Sequence, residues 1–189
     1  FIPQCVPNIS GKEGIYLQEC VDSTFVSSVG KFVNDFQSSL CDITNFKHCE
    51  AVSSGTCGLH LSLVALGVEH NDLVIMPTYT FIATANAVAH AGAKPWLFDI
   101  DKDTLNLNLN LVEDALKKEC IFRDKHFYHK RTNQKIAAIM PVFCLGSLID
   151  FEDIKNFRNK FSIPMVLDSA AALGSTYEDM GLGASSADV

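Results

Sequence analysis

Apolar positions recur along this chain in two rhythms. In "GKEGIYLQECVDS" the residues Ile15, Leu17, Cys20 and Val21 fall at roughly helical spacing, and "KFVNDFQSSLCDI" repeats the pattern with Phe32, Val33, Phe36, Leu40 and Ile43 on one face. The spacing predicts two amphipathic helices joined by a glycine-marked turn at "SSVGK", Ser27 to Lys31. From Cys49 onward the rhythm changes to short apolar runs alternating with helical segments. "CEAVS", "DLVIMP", "KPWLFDI", "KIAAIMPV" and "PMVLDS" read as strands. Between them, "TCGLHLSLVALG" and "TFIATANAVAHAG" read as helices closed by Gly67 and Gly92, with two more in "NLVEDALKKEC" and "DFEDIKNFRNKF". The polar stretch from Phe122 to Gln134 reads as a solvated loop, with His126 and His129 at the surface.

Strands separated by helices of this length predict an α/β fold, a mostly parallel sheet with helices on both faces. Composition narrows the function classes. A chain of 189 residues with 48% hydrophobic side chains carries material for one sizeable core. Fifteen basic against 22 acidic residues give a net charge of −7 with no basic block, which argues against nucleic acid as partner. Seven cysteines without a C-x-x-C pair read as reduced thiols and not as a disulfide framework or a zinc site. No run approaches a membrane span and the N-terminus lacks the features of a signal peptide, so a cytoplasmic location is expected.

Ligands of open α/β sheets sit at the carboxyl ends of the strands, so chemistry is sought there. Ser54-Gly55-Thr56-Cys57 opens a helix, where free N–H groups and the positive dipole end favour an anion and Gly55 allows close backbone approach; a plain helix cap fits the same residues. Asp168 ends an apolar strand, where a carboxylate needs a cation or several donors. A protonated cofactor ring nitrogen would serve, and capping of the following "SAAALG" is the alternative. Tyr79 and Phe81 occupy the corner of "PTYTFIATANA", where an aromatic could stack on a flat cofactor or simply join the core. "MPVFCLG" says only that the backbone turns tightly. Six histidines show no common metal-ligand spacing, and no G-x-G-x-x-G follows the first strand.

Phosphate corner, aromatic corner and strand-end aspartate, in this order, resemble the pyridoxal-phosphate-dependent sugar aminotransferases of the DegT/StrS type, with the fold type I large domain (three-layer α/β/α). The likeness runs over essentially the whole chain and is densest in "SSGTCGLHLSLVALGVEHNDLVIMPTYTFIATANAVAHAGAKPWLFDIDKDTLNL". It implies residues 1–45 as an N-terminal helical segment and 46–189 as an incomplete large domain. It also implies pyridoxal 5′-phosphate held by Gly55, Thr56 and Cys57, stacked on Phe81 with Tyr79 as second choice, and paired with Asp168. "ECVDSTFVSSVGKFVNDFQ" resembles the branch that aminates 4-keto sugars for legionaminic-type (nonulosonic) acids. The reaction implied is transfer of an amino group, typically from glutamate, to C4 of a nucleotide-linked keto-deoxy sugar in surface-glycan synthesis. Ser27, Ser28, Val29 and Gly30 would belong to the sugar-nucleotide pocket, shared across a homodimer or higher homo-oligomer.

The chain departs from the family pattern in three places. Ala171 stands where a Gln, His or Glu is usual, and Phe143 where a His is common. The third is "GLGASSADV", which resembles the segment before the family's Schiff-base lysine; Lys94 and Lys135, at strand starts, lie at the wrong end to replace it. The 189 residues are therefore expected to be a fragment, inactive by itself. Two alternatives share these residues: a sugar dehydratase of the same fold with histidine replacing lysine, and a non-catalytic half-protein that binds a sugar nucleotide or a partner.

Overall fold

The computed structural model describes residues 1–3 and 6–189, so Cys5 lies outside the described residues; the other six cysteines are unbridged. Helices α1 (Glu13–Ser23) and α2 (Lys31–Thr44) form where the spacing predicts them, but neither contains a fully buried residue. Their apolar stripes stay largely in solvent, with Phe36 and Ile43 exposed. The end of α2 is held by backbone packing: a Cβ at Gly183 would come within 2.6 Å of the Asn45 backbone, so only glycine allows that approach.

The remaining elements are α3 (Gly55–Ala65), β1 (Leu73–Pro77), α4 (Ile82–His90), β2 (Lys94–Phe98), α5 (Leu109–Glu119), β3 (Cys120–Arg123), β4 (His126–His129), β5 (Lys135–Ile139) and α6 (Phe151–Phe161). One sheet runs in the order β2-β1-β5-β4-β3. β1 pairs parallel with both β2 and β5, while β4 pairs antiparallel with β5 and β3. Every residue of β1 is buried, as a strand covered on both faces requires. Its alternation assigns the faces: Leu73 and Ile75 pack with α5 and α6 through Val112, Leu116, Ile154 and Phe157. Val74 and Met76 pack with α3 and α4 through Leu63, Ala87 and Val88. Two cores, one on each side of the sheet, give the helices on both faces that the sequence predicts and the three layers that the resemblance implies, but the sheet is mixed and not mostly parallel, because the β3–β4 hairpin adds two antiparallel pairings to the two parallel ones.

Three expectations need correction. "CEAVS" is not a strand; residues 45–52 run irregularly into the turn before α3. Of its five residues only Val52 is a strong strand former, and none of them pairs with a strand. "PMVLDS" is extended but contributes only single parallel bridges, Met165 to Ile139 and Asp168 to Val142. The polar stretch after α5 is a hairpin and not a loop, with Asp124 (φ +48°) and Lys125 (φ +66°) forming its two-residue turn. Both turn residues take the left-handed conformation that matches strand twist; Asp is common at the first position, whereas Lys125 stands where Gly is usual. Arg123 lies over the Tyr128 ring at 4.1 Å, and Phe122 pairs with Phe127 at 5.0 Å. His129 is buried, not at the surface: its Nδ1 lies 3.0 Å from Thr132 Oγ1 and its Nε2 3.6 Å from Glu119.

Candidate functional site

The parallel strands end side by side. Thr78 N–H donates to Phe98 O (2.8 Å), Met140 N–H to Ile75 O (2.8 Å), Phe143 N–H to Asp168 O (3.0 Å) and Asp168 N–H to Pro141 O (2.9 Å). At this edge opens a cavity of about 540 Å³ whose wall includes Gly55, Thr56, Tyr79, Phe81, Phe143 and Asp168. Residues separated by more than a hundred positions in the chain meet here because each follows the tip of a strand or opens the helix beside it.

Ser54 begins α3 in extended conformation, and its hydroxyl accepts from Cys57 N–H at 3.2 Å. Gly58 N–H is taken by Ser54 O. Among the described residues, the amides of Gly55 and Thr56 have no partner, which leaves two free N–H groups at the positive end of a three-turn helix. A methyl at Gly55 would meet no atom within 4 Å, so the space beside this backbone is open. Cys57 does not line the cavity. Its side chain is exposed and its thiol is held below the usual range by hydrogen bonds with the Ser53 and Ser54 hydroxyls.

Phe81 is 79% exposed and Tyr79 is also exposed, so neither is a core aromatic. Asp168 is 7% exposed. Its Oδ2 accepts from Thr84 Oγ1 at 2.6 Å, and its Oδ1 is 3.4 Å from Ala170 N–H. The residues after it form turns and no helix, so Asp168 caps nothing longer than a turn. Phe143 is buried and Ala171 is exposed, and both stand in the cavity wall. The two positions where polar side chains were expected thus present apolar surface. Among the described residues, Asp168 is the only carboxylate on the wall, and no lysine, arginine or histidine lines it.

Ser27, Val29 and Gly30 line a separate groove between α1 and α2 that shares no residue with this cavity, and Ser28 lines neither. Within one chain the structure does not bring the expected sugar-nucleotide residues to the strand tips. Lys94 and Lys135 do open β2 and β5, opposite the cavity; Lys135 is held by Asp72 at 2.9 Å. Sequence reasoning missed Thr80 and Thr84, the hydroxyls behind Asp168. Their signal was faint: two threonines four apart, Thr80 just before α4 and Thr84 in its first turn.

The profile of the DegT/DnrJ/EryC1/StrS aminotransferase family matches residues 7–188. The chain belongs to that family. It is 37% identical over 176 residues to GDP-perosamine synthase of Caulobacter vibrioides, covering 93% of this chain and 43% of that protein. It is 34% identical over 183 residues to GDP-perosamine synthase of Escherichia coli O157:H7, covering 97% of this chain and 46% of that protein. The chain therefore spans less than half the length of these curated relatives. Among solved structures it resembles a GDP-4-keto-6-deoxymannose-3-dehydratase holding a trapped PLP-glutamate geminal diamine, with a TM-score of 0.76 and 21% identity over 93% of this chain and 43% of that one. That likeness shows the fold. Membership of this aminotransferase family supports pyridoxal phosphate as the cofactor. No helix among the described residues is long and apolar enough to cross a membrane.

Proposed function

We propose that this chain forms the cofactor-binding part of an enzyme that transfers an amino group, typically from glutamate, to C4 of a nucleotide-linked keto-deoxy sugar for surface-glycan synthesis. The observation that carries the reading is the convergence of two free helix-start amides, an exposed aromatic and a buried carboxylate on one cavity. The residues present fit pyridoxal phosphate, and a volume of about 540 Å³ suits a molecule of that size. The N–H groups of Gly55 and Thr56 would donate to its phosphate, Phe81 would offer a ring face, and Asp168 would accept from a ring N–H. Bound there, the cofactor supplies an electron sink for exchanging an amino group and a proton at a neighbouring carbon.

The protein's own contribution is orientation and electrostatics. Asp168, inside an apolar wall, interacts with a cationic ring nitrogen more strongly than it would in water, and so keeps that nitrogen protonated. Leu59, Val142 and Phe143 keep water off the same face. The helix start supplies partial positive charge but no full cation, so the remaining charge on a phosphate must be met from outside this wall. The family's perosamine synthases support a nucleotide-linked sugar as acceptor. The resemblance of "ECVDSTFVSSVGKFVNDFQ" points within that class to the legionaminic-type branch and to an oligomer whose pocket includes Ser27 to Gly30.

Titrating the chain with pyridoxal phosphate and following the cofactor's absorbance tests the site. Saturable binding is expected, weakened at least tenfold by Asp168→Ala; no saturation, or an Asp168→Ala curve that overlays the wild type, sinks the reading. Amine transfer is tested on the natural-length gene product with glutamate and GDP- or UDP-linked 4-keto-6-deoxy sugars. Mass spectrometry should find the 4-amino product.

A further inference from the structure

Asp168 is held by a chain of hydroxyls that starts at the aromatic corner. Thr84, fully buried in the first turn of α4, lies 2.6 Å from Asp168 Oδ2, and Thr80 Oγ1 lies 2.7 Å from Thr84 Oγ1. A hydroxyl has one proton and a carboxylate only accepts, so the direction of the chain is fixed. Thr84 donates to Asp168, and Thr80 therefore donates to Thr84. The Thr80 proton prefers this 2.7 Å partner over Phe81 O at 3.3 Å.

We propose that Thr84, backed by Thr80, is a positioning residue that fixes Asp168 toward the cofactor and ties it to the Tyr79–Phe81 corner. The inference rests on the cofactor site described above. With Oδ2 committed to Thr84, and Oδ1 meeting only a long contact from Ala170 N–H, Oδ1 is the freer acceptor for a cationic N–H group. Thr80 itself stands in the cavity wall beside Phe81. One hydrogen-bonded chain thus sets both the acid and the loop that carries the stacking ring, so a shift of one would move the other. The bond joins residues 84 positions apart, linking α4 to the strand tip across the site.

The test compares pyridoxal phosphate titrations of wild type, Thr84→Val, Thr84→Ser, Asp168→Asn and Thr84→Val/Asp168→Asn. Thr84→Val should weaken binding about tenfold, the scale of a lost hydrogen bond to a charged group, and Thr84→Ser should return it to within about threefold of wild type. In the Asp168→Asn background Thr84→Val should change affinity much less, because the group it positions has lost its charge. A purely structural threonine would weaken binding equally in both backgrounds and would overturn the inference. So would a Thr84→Val curve that overlays a saturating wild type, which would leave the cofactor site itself standing. A wild type that fails to saturate overturns both. Should Thr84→Val not fold, Thr84→Ala, which leaves room for a water, is read in the same two backgrounds.

Discussion

Phe81 separates binding from folding. At 79% exposure its ring contributes almost nothing to the core, so Phe81→Ala should change stability by less than about 0.5 kcal/mol. Its value as a stacking face is larger. Covering one ring face removes about 60 Å² of apolar surface from water, about 1.5 kcal/mol at 25 cal/mol/Å². Aromatic stacking adds about 0.5–1.5 kcal/mol. The sum, about 2–3 kcal/mol, corresponds to a loss of about 30- to 150-fold in affinity for pyridoxal phosphate. Calorimetric titration gives the affinity, and urea unfolding of the same samples gives the stability. Tyr79→Ala, at the same corner, should weaken binding less. An affinity within threefold of wild type for Phe81→Ala would refute the stacking role, and a large loss confined to Tyr79→Ala would move it to that residue.

Ser54→Ala removes the hydroxyl that caps α3 and should lower stability by about 1 kcal/mol, measured by urea unfolding. Lys135→Met leaves Asp72, nearly buried and bonded to Glu69 N–H, without its cation; a loss of about 2–3 kcal/mol is expected from the same assay, and a change below 1 would show that solvent already screens the pair. Two thiols should separate by pH: Cys57, held low by the Ser53 and Ser54 hydroxyls, should react with iodoacetamide first as pH rises. Cys120, which burial pushes up to about 11, should react last, as peptide mass spectrometry would show. Because the folded value of Cys120 lies above the ordinary thiol value, its contribution to stability is complete below about pH 8.5 and declines as pH rises toward 11.

The sequence by itself determined the elements whose signal is local. Helices α3 to α6 and strands β1, β2 and β5 stand where period and punctuation put them, because a strand buried on both faces must be apolar throughout and an amphipathic helix must repeat at 3.6 residues. That Gly55, Phe81 and Asp168 stand together at the strand tips was legible because each follows a strand or opens the helix beside one. Tertiary structure decided what depends on partners far along the chain. "CEAVS" lies at the point where the rhythm changes and pairs with no strand, whereas Asp124–Lys125 has loop composition and closes a hairpin because β5 offers an edge to β4. His129 is buried because the same hairpin makes it the last residue of β4, opposite Cys120 and beside Trp96. The groove lined by Ser27, Val29 and Gly30 stays apart from the cavity, which no local pattern could foretell. Thr84 is the sharpest case: in sequence it is one more small residue on a helix, and only the fold, by placing α4 beside the end of the 165–168 segment, gives its proton a carboxylate to hold.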